Sequence, residues 1–280
     1  MVRAPARFPA RGRTTYAEVE IDSDPSRPSG RTLYLDGIEC SYIDLDDPQH
    51  IEFGYIRRFA DLVDLAAPPG RPLRVTHLGG GGFTLPGYVA ATRPRSQQFV
   101  YEYDGGLVEL ARRELGLRTG PGLRVKTGDA RKRLERRSDA SADMIVGDAF
   151  IGRAVPAHLS TVEFAALVRR VLTAGGVYVL NVIDGAPLRV ARSHVAGLLD
   201  AFSHVAVSSD PDVWRAKASG NLVVFASTRP LPIAELRRRA GSGGLPERLL
   251  DRGELATFVG TAQPWHDGIA VDTQPEPVAR

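Results

Sequence analysis

The stretch Val75-Thr76-His77-Leu78-Gly79-Gly80-Gly81-Gly82, followed one helix-length later by Phe99-Val100-Tyr101-Glu102-Tyr103-Asp104, decides how this chain folds. An apolar strand that breaks into consecutive glycines lets the backbone pass close to a ligand. A second strand ending in a carboxylate offers two acceptors to a ribose diol. Glu102 stands 23 positions after Gly79, near the roughly 20-residue offset expected of an acid at the tip of the neighbouring parallel strand. The run is not a G-x-G-x-x-G, so NAD is not the default cofactor. Together the two stretches predict a nucleoside pocket.

Upstream, residues 14–22, 32–36 and 40–45 read as short strands joined by a Pro/Ser/Gly-rich segment and by the Asp36-Gly37 turn. They predict a small antiparallel unit. Apolar residues at Ile51, Tyr55, Phe59, Leu62 and Leu65 recur at helical spacing, so 48–66 is expected to be a helix with Pro48 near its start. Downstream, strand and helix signals alternate: strand 73–78, helix 85–91, strand 98–103, helix 105–115, then strands 123–127 and 143–147. Alternation of this kind points to a parallel sheet covered on both faces. Ser160-Thr161-Val162-Glu163 has the form of a capping box, with Ser160 as the cap of a helix that ends at Ala174-Gly175-Gly176. Strand 177–183, helix 187–202 and strands 205–208 and 222–226 follow, and the chain from Pro232 onward reads as helix and loop.

The expected fold is therefore α/β: a doubly wound, mostly parallel seven-stranded sheet, Rossmann-like and of the class I methyltransferase type, with a small N-terminal antiparallel β unit. The expected organisation is a flexible tail over 1–13, the β unit over 14–47, a nucleoside-binding α/β domain over 48–260 and a C-terminal tail over 261–280.

With 280 residues, 43% of them hydrophobic, the chain can bury a sizeable core. Its net charge of +3 comes almost wholly from arginine, since Lys126, Lys132 and Lys217 are the only lysines. Heavy use of Arg, Ala, Gly and Pro reads as coding bias rather than as a nucleic-acid footprint. The one basic cluster, 131–137, is interrupted by Glu135 and reads as a solvated helix face. The single cysteine, Cys40, excludes an internal disulfide and a multi-thiolate metal site and fits a reducing, cytoplasmic setting. No apolar run approaches the roughly 20 residues that span a bilayer, and the first 13 residues lack an apolar core of a secretory signal. The six histidines show no metal-ligand spacing, and no G-x-S-x-G elbow is present. His77 reads as a satisfied core histidine, Trp214 and Trp265 as packing or rim residues.

In open parallel sheets ligands sit beyond the carboxyl ends of the strands. The residues found there are Gly79, Gly80, Gly81 and Gly82; Glu102, Tyr103 and Asp104; Gly128, Asp129 and Ala130; Asp148, Ala149 and Phe150; and the segment from Asn181 to Asp184. Acids also collect at strand ends simply because loops begin there. For a nucleoside carrying a cationic sulfonium the arrangement is chemically apt: Glu102 for the ribose hydroxyls, Asp129 for an exocyclic amine, Asp148 toward the reacting centre.

At these positions the chain resembles the polyamine aminopropyltransferases, specifically spermidine-synthase-like proteins, from about Arg31 to Ser227. The likeness is carried by Leu35-Asp36-Gly37, the loop from Leu78 to Gly81, Tyr101-Glu102-Tyr103-Asp104, Gly128-Asp129-Ala130, Asp143-Met144-Ile145-Val146-Gly147-Asp148, then Pro156, Leu159, Glu163-Phe164 and Gly175-Gly176. It implies that decarboxylated S-adenosylmethionine alkylates an amine, that Glu102 binds ribose, that Asp129 contacts adenine, and that Asp148 orients or deprotonates the amine. It also implies a homodimer.

The departures from the family pattern are specific. Where the family reads G-G-G-D-G-G, the fourth position is Gly82, and the D-x-x-D of its catalytic loop is Asp148-Ala149-Phe150-Ile151. Cys40 stands where the family has glutamine, and Tyr-His-Glu is replaced by His50-Ile51-Glu52, leaving Glu52, Phe150 and Cys40 as candidates on the acceptor side. An acid at position 82 would favour a donor with a bare ammonium over one carrying a carboxylate; at an effective dielectric near 20 a charge pair about 4 Å apart interacts by roughly 4 kcal/mol. With glycine there, free amides of residues 80–82 are expected to donate to the carboxylate of ordinary S-adenosylmethionine. Either donor is therefore open, with methyl transfer as one alternative and a nucleoside-binding protein without catalysis as another.

Overall fold

The computed structural model describes residues 8–242 and 247–268. Its first unit is an antiparallel meander of four strands, β1 (Ala10–Arg13), β2 (Glu18–Asp24), β3 (Arg27–Leu35) and β4 (Ile38–Asp44), in the order β1-β2-β3-β4. Asp36 and Gly37 both take positive φ (50° and 75°) in the β3–β4 hairpin, the backbone that a two-residue type I′ turn requires. The inner face of this sheet buries Val19, Ile21, Leu33 and Ile43 together with Leu107, Val108, Leu110 and Ala111 of helix α3 (Gly105–Glu114). That apolar contact seats the meander on the main domain.

The first 13 residues are not all tail. Residues 10–13 form β1, paired with residues 18–21 of β2; a run of Arg and Gly carries no strand signal, and the pairing is supplied by the neighbouring strand. Residues 1–7 lie outside the described residues.

The main domain contains α1 (Gly54–Leu65), β5 (Arg74–Leu78), α2 (Thr84–Thr92), β6 (Gln97–Glu102), α3, β7 (Leu123–Thr127), α4 (Ala130–Glu135), β8 (Ala142–Gly147), α5 (Val162–Val171), β9 (Leu172–Asp184), α6 (Arg189–Ala201), β10 (His204–Ser209), α7 (Pro211–Trp214), β11 (Gly220–Ser227), α8 (Ile233–Ser242), β12 (Arg248–Leu250) and α9 (Arg252–Val259). Its strands lie in the order β12-β10-β11-β9-β8-β5-β6-β7. The run from β9 to β7 is parallel and the other three strands are antiparallel. One face packs against α4, α5, α6 and α9, the other against α1, α2 and α8. The doubly wound expectation holds, with one strand more than expected: β12 is three residues long and forms only by pairing with β10, so no local pattern announces it.

Helix α1 starts at Gly54 rather than near Pro48, because the Asp44 carboxylate accepts the Asp46 and Asp47 amides and holds that stretch in turns. The cap of α5 is Thr161, not Ser160: the Thr161 hydroxyl accepts the Phe164 amide at 3.2 Å while Ser160 donates to Pro156 O. Glu163, free of the box, accepts the Asp267 amide and bonds His266. Residues 261–268 are packed rather than loose: Val162 N donates to Trp265 O, and the Trp265 ring meets His194 edge-on at 5.3 Å. Residues 269–280 lie outside the described residues.

The basic cluster is a solvated face at Lys132, Glu135 and Arg136, while its other arginines are engaged by the protein. Arg131 pairs with Asp267, Arg133 donates to Thr127 O, and Arg137 lies over the Phe99 ring. His77 is buried against the Gln98 amide at 2.9 Å, and burial lowers its pKa to about 4. Among the described residues no helix is long and apolar enough to cross a membrane.

Candidate functional site

Adjacent strands lie roughly 4.8 Å apart, and the order β8-β5-β6-β7 lines up four carboxyl-end tips over about 14 Å: Asp148, the glycine run, Glu102 and Asp129. Backbone bonds hold the row together. Asp148 N donates to Leu78 O at 2.9 Å, Gly79 N to Tyr101 O at 2.9 Å, and Gly128 N to Glu102 O at 2.8 Å. The three acids singled out in the sequence thus share one edge of one sheet.

At the centre of the row, Gly79 has φ +95°, and a Cβ there would sit 2.3 Å from Asp148 O. Only glycine lets β5 turn this close to the strand beside it. Glu102 is 8% exposed. Its Oε2 accepts Gly80 N at 2.7 Å and its Oε1 accepts Asp104 N at 2.9 Å. Burial pushes its pKa up, and the Asp104, Gly80 and Gly81 amides oppose that shift.

Gly82 is buried beneath the N-terminal meander. Its amide donates to Ser41 Oγ at 2.9 Å, and a Cβ on it would lie 2.4 Å from Ile43 Cδ1 and 2.7 Å from Ser41 Cβ. Strand β4 fills the room an acid at this position would need. The expectation of free amides at 80–82 is overturned: Gly80 and Gly81 turn to Glu102 and Gly82 turns to Ser41, so the loop offers no cradle for a ligand carboxylate. Nothing near Gly82 in sequence signals Ser41.

At the β7 end, Asp129 caps α4 with Oδ1 accepting Lys132 N at 2.8 Å, and its Oδ2 meets His158 Nε2 at 2.8 Å. Ala130 is buried as the first residue of that helix. Tyr103 is 58% exposed, and its ring lies 5.0 Å from that of Tyr16, equally exposed, in the β1–β2 connection. Asp104 is used locally, its carboxylate accepting Gly106 N and Leu107 N to cap α3. Asp184 is likewise local, accepting the Gly185 and Ala191 amides.

At the β8 end, the Asp148 carboxylate accepts from Asn181 Nδ2 at 3.0 Å and from the Tyr55 hydroxyl at 3.4 Å. Burial pushes its pKa up to about 6 against those two hydrogen bonds. The Tyr55 phenol is raised by burial and by the Asp148 charge, and the Cys40 thiol is raised mainly by burial, with Asp148 adding to it. Tyr55, Asp148 and Asn181 therefore gather at one place, with the Cys40 thiol within reach of the Asp148 charge. Tyr55 reads from sequence as one more apolar residue of a helical stripe. Asn181 carries a faint signal as the one polar side chain within Tyr178-Val179-Leu180-Asn181-Val182-Ile183.

The other two acceptor-side candidates make contacts of their own. Glu52 bonds His50 at 3.1 Å with its side chain 55% exposed, and Phe150 packs half-buried against the core cluster containing Leu78, Tyr101 and Ala130. Ile151 is 70% exposed in a tight turn with Ala154.

No family model matches the sequence. Among curated proteins the chain is 33% identical over 151 residues to the polyamine aminopropyltransferase of Vibrio vulnificus (strain CMCP6). That match takes in 53% of this chain and 49% of the other, so the chain aligns with about half the length of its curated relative. Among solved structures, a probable spermidine synthase from Corynebacterium glutamicum is 31% identical with a TM-score of 0.88, over 96% of this chain and 100% of that one. Human methyltransferase-like protein 13, solved in complex with SAH, shares the fold at 23% identity and a TM-score of 0.55, over 76% of this chain and 95% of that one. With better than 30% identity extending over the full length of the Corynebacterium protein, on a sheet whose tips carry the motifs described above, this chain belongs to the spermidine synthase family of polyamine aminopropyltransferases, built on a class I methyltransferase-type fold.

Proposed function

We propose that this protein transfers an aminopropyl group from decarboxylated S-adenosylmethionine to an amine. The observation that carries the reading is the order of the row. Asp129, Glu102, the glycine run and Asp148 follow one another along the sheet edge as adenine, ribose, sulfonium and reacting carbon follow one another along the donor. Glu102 has lone pairs beyond those taken by Gly80 and Asp104 and accepts the ribose hydroxyls. Asp129 and Ala130 face the purine edge, with Tyr103 against its ring. Gly79 to Gly81 let the sulfonium pass close to backbone, while Gly82 lies beneath β4.

The reaction is a displacement. The amine nitrogen forms a bond to the carbon beside sulfonium as the carbon–sulfur bond breaks, its electrons pass to sulfur, and neutral methylthioadenosine leaves. An alkylammonium titrates near pH ~10, so a proton must go before attack, and Asp148 takes it directly or through water. Alignment of nitrogen and carbon supplies most of the rate, up to roughly 7 to 11 kcal/mol. Ordinary S-adenosylmethionine is disfavoured because its carboxylate would meet amides already engaged by Glu102 and Ser41. We extend the reading to a homodimer in a reducing cytosol, on the family resemblance and the single cysteine.

Calorimetry with decarboxylated S-adenosylmethionine, S-adenosylmethionine and methylthioadenosine tests this, paired with chromatographic detection of methylthioadenosine released in the presence of amines. Binding of the decarboxylated donor at least tenfold tighter than the ordinary one is expected. Tighter binding of the ordinary donor points to methyl transfer, and no binding of any of the three at millimolar concentration removes the nucleoside site.

A further inference from the structure

We propose that the amine acceptor carries a single cationic centre and an otherwise apolar body, an inference that rests on the aminopropyl-transfer reading above. The groups around Asp148 are Asn181, Tyr55 and Cys40. All three are uncharged. The side chains that donate to the Asp148 carboxyl, the Asn181 amide at 3.0 Å and the Tyr55 hydroxyl at 3.4 Å, are both neutral, so neither forms an ion pair with it. One ammonium can therefore be neutralised here, and a second brought alongside would lose water without gaining a carboxylate.

The remaining acids of the neighbourhood do not fill that role. Glu52 is engaged by His50 at 3.1 Å, and with its side chain 55% exposed water screens its charge. Asp36 and Glu39 act on the Cys40 thiol, but both are exposed at the β3–β4 turn, where water screens them, and Asp36 already accepts the Glu18 amide. Three residues after Asp148, where a second carboxylate would complete a pair on the same loop, stands Ile151, 70% exposed. The hydrocarbon of a monoamine suits the thiol and the aromatic edge there better than a second charge does.

The chemistry is unchanged by this choice. The alkylammonium gives up one proton toward Asp148, its nitrogen bonds to the donor carbon as the carbon–sulfur bond breaks, and the secondary amine leaves with methylthioadenosine.

The test uses the full chain with decarboxylated S-adenosylmethionine, and methylthioadenosine release is followed with n-butylamine, n-pentylamine, putrescine and cadaverine. Each monoamine is expected to have a kcat/KM at least tenfold above the diamine of equal carbon length, and Ile151→Asp is expected to narrow that ratio at least fivefold. Calorimetry of the same four amines onto protein saturated with methylthioadenosine gives the same ranking without turnover. Preference for the diamines overturns the acceptor proposal and leaves aminopropyl transfer standing. Donor binding without release of methylthioadenosine for any amine overturns the transfer reading and the acceptor proposal with it.

Discussion

The Oε2 oxygen of Glu102 accepts the Gly80 amide at 2.7 Å across the gap between two parallel strands. The carboxylate proposed to hold the ribose is thus also the fastening of the glycine loop. Its other oxygen holds Asp104 N at 2.9 Å, the residue that caps α3. Ligand recognition and loop shape are mechanically joined at one side chain.

Glu102→Ala is accordingly expected to lower both affinity and stability. The buried Asp104 amide loses its acceptor, at about 1–3 kcal/mol, the half-buried Gly80 and Gly81 amides lose theirs as well, and methylthioadenosine affinity should fall at least 100-fold by calorimetry. Glu102→Gln keeps one acceptor oxygen and is expected to retain a near-native melting temperature with a smaller loss of affinity. Unaltered affinity in the alanine variant would remove Glu102 from the ribose site.

Asp148→Asn separates stability from turnover. The folded pKa of Asp148 is about 6 against an ordinary 3.8, so the folded state prefers the protonated form. The ionised carboxylate therefore destabilises the fold above about pH 6, by up to about 3 kcal/mol, and that penalty fades as pH falls toward 3.8. The asparagine variant should melt higher than the native protein at pH 8 and equally at pH 4, while losing turnover and keeping methylthioadenosine binding. Asn181 accommodates the change by turning its unpartnered buried Oδ1 toward the new amide.

The acidic limb of the pH–rate profile should report the partners of Asp148. Asn181 and Tyr55 donate to its ionised form and so hold its pKa down. Asn181→Leu is expected to move the limb from near pH 6 to higher pH, and Tyr55→Phe to move it in the same direction by less, its bond being 3.4 Å against 3.0 Å. A limb unmoved in both variants would mean that another group titrates.

Gly82→Asp tests whether the missing family acid can be put back. Its Cβ would lie 2.4 Å from Ile43 Cδ1 and 2.7 Å from Ser41 Cβ, so β4 must shift and the Ser41–Gly82 bond is lost. We expect a melting temperature several degrees lower and no gain in affinity for the decarboxylated donor. Combining it with Ile43→Ala should recover part of the lost stability, a non-additivity expected of side chains in contact. A stable, tighter-binding single variant would show that β4 yields readily.

The row of acids along the sheet edge was determined by sequence alone. Strand periodicity, the glycine run and a carboxylate one helix later are local patterns, and parallel pairing then leaves Glu102, Asp129 and Asp148 at the same end of adjacent strands. What surrounds those acids was decided by tertiary structure. Ser41 reaches Gly82 across 41 residues and Tyr55 reaches Asp148 across 93, while β1 and β12 exist only through their partners. Gly82 shows the difference at a single position. In sequence it is an acid replaced by glycine; in the fold it is a site with no room for a side chain, because Ile43 and Ser41 are packed over it. Spacing along a chain fixes which face and which end of a strand a residue occupies, but its neighbours come from segments that hydrophobic burial brings together.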